Sequence, residues 1–279
     1  MAATERANGK LRVAAIGDLH VMEESVAPYR EMFAEIANAA DVLVLCGDLT
    51  DYGLAEEARI LAKELAAVHV PIVAVLGNHD FESNQEGDVT NILTDAGVQV
   101  LDGGSTEVMG VGFAGTKGFA GGFGRGTLGA WGEATVKEFV NEAVHEALKL
   151  ETALARLRNV PRIAVLHYAP VRDTVVGEPL EIFPFLGCGR LEEPLARYPA
   201  VAVVHGHAHN GTEEGRTSHG IPVYNVAMAL LKKNAPDRAP VRIIEVDTTP
   251  HAEAEGAEAP RYTGPERRST PPQPPQPTS

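Results

Sequence analysis

Side chains that bind divalent metal ions recur at five points in the sequence. Each point follows a short apolar run, and an aspartate, asparagine or histidine stands where that run ends. These residues are Asp18, His20, Asp48, Asn78, His79, Asp80, His167, His205, His207 and His209. Carboxylate, amide and imidazole ligands suit hard and borderline divalent ions, and a buried carboxylate without a partner is costly. The pattern therefore indicates metal-dependent chemistry, provided that the fold brings the five points together.

Strands and helices alternate in the first half of the sequence, which is the arrangement needed to bring them together. The apolar runs Arg12–Ile16, Asp41–Leu45 and Val70–Leu76 are typical of buried strands. Helical periodicity in Val26–Ala39 and Leu54–Val68 separates them. This order predicts a parallel sheet with right-handed crossovers, and ligands of such sheets bind at the carboxyl ends of the strands.

The second half of the sequence predicts another sheet. Val98–Leu101 and Val108–Phe113 have the pattern of strands, and a long amphipathic helix is expected over Thr135–Arg158. Further strands are predicted at Arg162–Leu166, Ala200–Val204, Val223–Val226 and Val241–Val246. Because few helices separate these strands, we expect a partly antiparallel sheet. The predicted fold class is α/β, a layered sandwich of two mixed β-sheets flanked by helices.

Each polar group taken singly has an ordinary structural explanation. Asp18 could cap a helix, His20 could lie in an exposed loop, and Asn78-His79-Asp80 could form a simple turn. Two imidazoles in Gly206-His207-Ala208-His209, directly after a buried strand, are harder to explain in this way. A metal pair accounts for all of these groups at once, and we favour that interpretation.

The five motifs together resemble the calcineurin-like metallophosphoesterase family over about Leu11 to Ala227. In this sequence they are Gly17-Asp18-Leu19-His20, Gly47-Asp48-Leu49-Thr50-Asp51, Gly77-Asn78-His79-Asp80, His167 and Gly206-His207-Ala208-His209. The resemblance implies two divalent metal ions, with Mn²⁺, Fe²⁺ or Zn²⁺ as candidates. It implies the following ligands: Asp18, His20 and His209 for the first ion, Asn78, His167 and His207 for the second, and Asp48 as the bridge.

The same resemblance implies how the reaction runs. A hydroxide shared by the two ions would attack the phosphorus atom in line. His79 would donate a proton to the leaving group, and Asp51 would orient His79. His205 has no place in the implied ligand set, and we expect it to have a structural role.

The choice of phosphate ester is less closely determined. Protein phosphatases of the superfamily carry an arginine after the position of Asp51 and a glutamate at the position of Asp80, whereas this chain has Tyr52 and Asp80. The motifs are more similar to the phosphodiesterase branch, and we expect a small phosphodiester, with a nucleotide as the favoured class. A nuclease, a phosphomonoesterase and a non-catalytic scaffold stay open as alternatives.

Composition limits the partners. The formal net charge is −14, from 38 acidic and 24 basic residues, which disfavours nucleic acid as a partner. The sequence has no apolar run of the roughly 18 residues that a membrane helix needs, and its short apolar N-terminal run does not fit a secretion signal. We therefore expect a cytoplasmic protein without a membrane partner. The sequence does not indicate an oligomeric state.

Domain limits and two further segments complete the expectations. We expect a flexible N-terminus over Met1–Lys10, one metallophosphoesterase domain over residues 11–248, and a disordered proline-rich tail over Thr249–Ser279.

The glycine-rich segment Gly115–Gly132, which contains Lys117 and Arg125, either wraps a phosphate or connects elements at the surface. Val175–Arg190 is an apolar segment for which a lid or base-stacking wall, core packing and a subunit contact are all open; its apolar residues are Ile182, Phe183, Phe185 and Leu186.

Overall fold

The computed structural model describes residues 9–24 and 29–248, and eleven β-strands form the centre of that part of the chain. The strands are β1 (Lys10–Ile16), β2 (Val42–Cys46), β3 (Ile72–Val75), β4 (Val98–Val100), β5 (Gly104–Val108), β6 (Val111–Gly115), β7 (Arg162–Val165), β8 (Ala202–His205), β9 (Glu214–Arg216), β10 (Pro222–Asn225) and β11 (Arg242–Asp247).

These strands form two mixed sheets. The first has the order β11-β1-β2-β3-β4, in which β1 to β4 are parallel and β11 is antiparallel to β1. The second has the order β5-β6-β7-β8-β10-β9, in which β6, β7, β8 and β10 are parallel and the two edge strands are antiparallel. Each sheet thus has a parallel centre whose carboxyl ends lie at one edge.

Seven α-helices accompany the strands in the described ranges. They are α1 (Arg30–Ala39), α2 (Ala55–Leu65), α3 (Glu86–Asp95), α4 (Ala134–Arg156), α5 (Phe183–Leu186), α6 (Glu192–Arg197) and α7 (Met228–Asn234). Apolar residues of α1, α2 and α3 pack on one face of the first sheet. Those of α4 and α6 pack on one face of the second. Since the covered face of each sheet points outward, the two remaining faces meet each other.

The alternation of side chains along each strand produces this layering. In β1, Ala14 and Ile16 pack toward the helices, whereas Val13 and Ala15 pack in the cluster between the two sheets. Phe113 of β6 is fully buried in that same cluster. Because both faces of the central strands are covered, their sequences are apolar without alternation. The predicted fold class, a sandwich of two mixed sheets flanked by helices, is confirmed.

Three predicted elements need correction. The strand predicted over Val108–Phe113 is two strands, β5 and β6, joined by a turn at Met109 and Gly110, whose φ angles are 51° and 80°. Methionine is uncommon in the left-handed region that a tight hairpin turn requires, so the sequence gives little sign of the turn. The strands predicted at Val98–Leu101 and Val241–Val246 belong to the first sheet, as β4 and β11, and not to the second. Helices α3, α5, α6 and α7 were not predicted.

The ends of the chain lie largely outside the described residues. Residues 1–8 of the predicted flexible N-terminus and the whole predicted tail, Thr249–Ser279, are in this category. Lys10 begins β1, pairs with Asp247 across the sheet and forms an ion pair with Glu245 at 3.0 Å. The ordered sheet therefore begins one residue before the predicted domain boundary. Within the described ranges, no helix is both long and apolar enough to cross a membrane.

Candidate metal centre

The loops that follow β1, β2, β3, β7 and β8 meet at one edge of the two sheets. The Cys46 carbonyl at the end of β2 accepts a hydrogen bond from His167 Nδ1, at 3.0 Å, after β7. The backbone N–H of His207, after β8, donates to both oxygens of Asp18, at 2.9 and 3.0 Å, after β1. These two contacts join the loops of one sheet to those of the other and bring the predicted ligands together.

Several of the predicted ligands have unusual backbone conformations. The φ angles are 59° for Asp18, 47° for His20, 47° for Asp48 and 70° for His207. Only seven non-glycine residues in the described ranges have positive φ, and these four are among them. Such conformations are strained for residues with a Cβ atom, and they concentrate at functional sites. The fold therefore keeps four of the predicted ligands, two carboxylates and two imidazoles, in strained backbone conformations.

Asp18, His20 and His209 form the first ligand group. One ligand atom from each of the three lies within 4.8 Å of the others. His209 Nε2 is 3.0 Å from Asp18 Oδ1, and this contact raises the pKa of His209. His20 Nε2 is buried and has no hydrogen-bond partner, which is rare for a buried polar atom. A cation bound between the three residues would supply the missing partner, so the group fits a metal ion.

Asp48, His167 and His207 form the second ligand group, again with ligand atoms within 4.8 Å of one another. His167 Nε2 lies 2.9 Å from Asn78 Oδ1 and 3.3 Å from Asp48 Oδ1. Since Nδ1 of this fully buried ring donates to a main-chain carbonyl, Nε2 is the nitrogen turned toward the ligand oxygens. This is the usual arrangement of a metal-binding histidine. Asn78 joins the group through that contact.

Asp48 lies between the two groups. Its Oδ1 faces His167 in the second group, while its Oδ2 lies 3.9 Å from His20 Nε2 in the first. Oδ1 also accepts the backbone N–H of His79 at 2.9 Å. A carboxylate whose two oxygens face separate ligand groups has the geometry of a bridge.

In the second group, the negative charge of Asp48 is balanced by a proton on His167. Burial disfavours the charged form of His167, but the Asp48 carboxylate outweighs it and raises the pKa of His167 to about 9. Burial also opposes the charge of Asp48, yet His167 lowers the pKa of Asp48 below its usual range. Burial, with the charge of His167, lowers the pKa of His207 to about 4. A bound metal ion would replace the proton of His167, because ligands bind in their deprotonated form.

The predicted proton donor lies beside the first group. The rings of His79 and His20 are 4.6 Å apart, edge to face. His79 Nδ1 donates to the main-chain carbonyl of Asp51 at 2.7 Å. The carboxylate of Asp51 lies instead 3.0 Å from His20 Nδ1. Asp51 therefore contacts both histidines, His79 through its backbone and His20 through its side chain.

His205 is separate from both ligand groups. Its ring is fully buried, its Nδ1 donates to the Gly206 carbonyl at 2.7 Å, and its Nε2 accepts from the Thr174 hydroxyl at 2.8 Å. Burial lowers the pKa of His205 to about 4, so the ring is neutral. Both nitrogens are occupied by protein groups, which is the arrangement of a structural histidine.

Asp80 holds the centre together, a role that the sequence analysis missed. It is fully buried and accepts hydrogen bonds from the Gly77 N–H at 2.7 Å, the Thr50 N–H at 2.8 Å and the Thr50 hydroxyl at 2.5 Å. These bonds tie the loop after β2 to the loop after β3. Burial, and then the charge of Asp48, raise the pKa of Asp80. The motif contains this residue, but only the structure shows that its side chain points away from the ligands.

Asn225, at the end of β10, was missed as well. Its amide donates to the Ala208 carbonyl at 2.7 Å, between the two histidines of the last motif. Its side-chain oxygen accepts the N–H of Ala227 at 3.1 Å. Asn225 thus fixes the loop that carries His207 and His209. A lone asparagine at a strand end gives no signal of this in the sequence.

The glycine-rich segment and the apolar segment identified in the sequence both lie close to the centre. In Gly115–Gly132, the N–H groups of Gly118, Gly121 and Gly122 donate to Glu146, Pro184 and Gly187 respectively. These N–H groups are occupied by protein acceptors, which does not support the phosphate-wrapping interpretation.

In the apolar segment Val175–Arg190, some apolar side chains are buried and others are exposed. Phe183 and Leu186 are buried in a small cluster with Val175, which fits core packing. Phe185 is 59% exposed, and its carbonyl accepts a hydrogen bond from His207 Nε2 at 3.2 Å. The main chain of Phe185 therefore contacts the second ligand group, its ring is exposed, and its segment is anchored by buried neighbours.

Comparison with known proteins identifies the family. The model of the calcineurin-like phosphoesterases matches residues 11–211, and the chain belongs to this family of metal-dependent phosphoesterases. A search of curated proteins finds no match.

Solved structures share the fold at low sequence identity. A phosphopantetheinyl hydrolase from Mycobacterium tuberculosis has a TM-score of 0.62 and 16% identity, with 85% of this chain and 97% of that chain covered. GAP50, described as the anchor in the inner membrane complex of Plasmodium, has a TM-score of 0.51 and 12% identity, covering 79% of this chain and 72% of that one. A putative 5′-nucleotidase from Staphylococcus aureus has a TM-score of 0.50 and 14% identity, with 77% and 48% covered.

A substitution at Gly77 tests whether the centre depends on close packing around Asp48. A Cβ atom at this position would lie 2.1 Å from Asp48 Oδ1 and 2.2 Å from the Asp48 nitrogen. We expect Gly77→Ala to displace Asp48 and to weaken metal binding roughly ten- to hundredfold, as measured by metal content after dialysis against buffered metal. Gly126→Ala is the matched control, because a Cβ there meets nothing within 4 Å. Equal metal content in both variants would contradict the geometry described for Asp48.

Proposed function

We propose that this chain hydrolyses a small phosphodiester with the help of two divalent metal ions, and that a nucleotide diester is the substrate class. The observation that carries the proposal is the position of Asp48, whose two oxygens face two separate groups of ligand residues. A single-ion site would not need a carboxylate at this position. Membership of the family supports the reaction type, hydrolysis of a phosphate ester.

The residues present fit the two ions. The proposed ligands are Asp18, His20 and His209 for one ion, Asn78, His167 and His207 for the other, and Asp48 for both. This mixed oxygen and nitrogen set without thiolates suits Mn²⁺, Fe²⁺ or Zn²⁺. When bound, such a pair activates water and stabilises negative charge on the phosphate oxygens. With two aspartates against four positive charges, the occupied site would be net positive and would bind an anionic ester.

His79 is proposed as the proton donor to the leaving group. Its Nδ1–H is fixed by the Asp51 carbonyl, which leaves Nε2 as the nitrogen that can hold and release a second proton. Asp51 therefore positions His79 through its main chain, and its carboxylate holds His20.

The rim of the site supports a diester with an apolar or aromatic substituent. Phe185, Ile182 and Leu180 are all exposed, and the carbonyl of Phe185 bonds directly to His207. An exposed aromatic ring at this position offers a surface on which a nucleobase can stack. This chain has Tyr52 after Asp51, where protein phosphatases have an arginine. That difference agrees with a small substrate rather than a phosphoprotein.

The proposal is tested by removing and restoring metal. We expect purified protein to hydrolyse bis(p-nitrophenyl) phosphate, to lose this activity after chelation, and to regain it when Mn²⁺, Fe²⁺ or Zn²⁺ is added back. A panel of 3′,5′- and 2′,3′-cyclic nucleotides, single-stranded DNA, p-nitrophenyl phosphate and a phosphopantetheine ester then separates diesterase, nuclease and monoesterase. No metal-dependent hydrolysis of any member would favour a non-catalytic role and end the proposal.

His79→Ala tests the proton donor. We expect kcat to fall by roughly two to four orders of magnitude, the usual contribution of general acid catalysis, while the metal content stays at the wild-type level. The loss should be smaller for p-nitrophenolate esters, whose leaving group needs little protonation, than for alkyl esters. Equal losses for both kinds of leaving group would remove His79 from this role.

Phe185→Ala tests the aromatic rim. Stacking of a base on an aromatic ring contributes about 1–3 kcal/mol, so we expect KM for a cyclic nucleotide to rise roughly tenfold. KM for methyl p-nitrophenyl phosphate serves as an internal comparison, since its methyl group cannot stack. Leu148→Ala is the matched control, because Leu148 is 53% exposed on α4, outside both ligand groups. An unchanged KM for every cyclic nucleotide would contradict base stacking at Phe185.

A further inference from the structure

A cleft of ≈ 420 Å³ lies near the candidate metal centre, and none of the proposed ligands lines it. It lies between the loop after β3, helix α3 and the start of the glycine-rich segment. Its walls are apolar at Leu101 and Phe81 and polar at Glu86, Asn91, Asp102 and Lys117. We call it the Lys117 cleft.

Lys117 is a partly buried cation, and among the described residues no carboxylate is in ion-pair contact with it; Glu146, Glu142 and Asp102 act on it from farther away. Its Nζ lies 5.1 to 5.4 Å from the ring centroids of Phe81, Phe119 and Tyr168. Its hydrogen bond goes to the neutral carbonyl of Gly118, at 3.1 Å. No carboxylate in the described ranges lies within 4.0 Å of it. An ammonium group removed from water gains from an anion more than from rings alone, so this position suits an anionic ligand.

The other charges of the cleft are distributed differently. Asp102 and the buried Glu146 both lie 2.8 Å from the Lys149 ammonium group, so one cation is shared by these two carboxylates. Glu86, in the first turn of α3, has its Oε2 buried without a hydrogen-bond partner. The cleft thus contains two incompletely satisfied groups, a cation and a carboxylate oxygen. A purely apolar occupant would satisfy neither of them.

The cleft is connected to the ligand groups through short contacts. The Lys117 carbonyl accepts the N–H groups of His167 and Tyr168, both at 3.0 Å. The Tyr168 ring lies 4.5 Å from the ring of His207 and 5.4 Å from that of His167. One tyrosine ring therefore separates the ammonium group from two proposed metal ligands. Phe81, which also lines the cleft, follows His79 by two residues in the sequence.

We propose that the Lys117 cleft is a substrate subsite, which binds the part of the diester beyond the scissile phosphate and selects for a second anionic group there. This inference rests on the proposed function, because it assigns the substrate class of the same active site. The class is a phosphodiester that carries a further carboxylate or phosphate on one of its two substituents. Lys117 pairs with that group, and the Phe81 ring packs against the substituent that carries it.

A matched pair of substrates tests the subsite. Phenyl p-nitrophenyl phosphate and its 4-carboxyphenyl counterpart differ by one carboxylate. We expect the wild-type enzyme to prefer the carboxylated diester, and Lys117→Met to lower the ratio of the two kcat/KM values about ten- to hundredfold, the range for a lost charge-assisted hydrogen bond. Lys117→Arg should keep most of the preference. Glu86→Gln should raise it, because this change removes a negative charge from the cleft.

Control measurements separate the subsite from the activity. Lys137→Met removes a charge from an exposed position on α4 and should leave the ratio unchanged. Melting temperature and metal content of each variant show that the fold and the centre are intact. If both diesters are hydrolysed and Lys117→Met leaves the ratio as in wild type, the subsite is refuted while the proposed function stands.

A binding measurement decides the case in which neither aryl diester is hydrolysed, and the substrate panel described above then tests the proposed function separately. Calorimetric titration with the non-hydrolysable methylenephosphonate analogues of the pair then tests the cleft directly. Tighter binding of the carboxylated analogue to wild type than to Lys117→Met would support an anion site at Lys117. Equal affinities would overturn it.

Discussion

The candidate centre of this protein depends on one buried carboxylate, that of Asp48, which lies between two groups of residues that could hold a metal ion. Burying a carboxylate is costly unless positive charge and hydrogen bonds surround it. Here the His79 N–H and the His167 ring supply part of that compensation, and the geometry leaves both carboxylate oxygens directed at ligand histidines. Loops of both sheets therefore approach Asp48, through His20 and His79 from the first sheet and His167 from the second.

The two sheets contribute different side chains to the candidate centre. The loops of the first sheet supply Asp18, Asp48 and Asn78, together with His20, whereas the loops of the second supply only imidazoles. Neither sheet by itself carries a complete set of the proposed ligands of either proposed ion. Hydrogen bonds across the boundary, from His167 to the Cys46 carbonyl and from the His207 N–H to Asp18, fix their relative position. Packing of the two inner faces is thus directly coupled to the formation of the site.

Buried polar residues stabilise the strained loops that aim the ligands. Asp80 binds the loops after β2 and β3 together, and Asn225 and His205 hold the loop after β8. A buried network in which every member is satisfied is rigid, because breaking one bond leaves a costly unpaired group. These residues do not face the ligand groups, yet the positive φ angles of Asp48 and His207 persist because such contacts hold their loops. The reactive geometry and the core of the protein are therefore stabilised by the same contacts.

The sequence by itself determined the fold class, the parallel order of β1 to β3 and the identity of the side chains that converge, because strand periodicity and the position of a residue at a strand end are local properties. It also indicated His205 as a residue apart from the ligand set. Tertiary structure alone decided that β11 joins the first sheet, that Asp51 contacts His79 through its carbonyl, that Asp80 points inward, and that Lys117 lies among three rings beside a cleft. Each of these depends on contacts between residues distant in the chain. No local pattern encodes such contacts, since the direction of a side chain in a loop is set by the packing of both sheets.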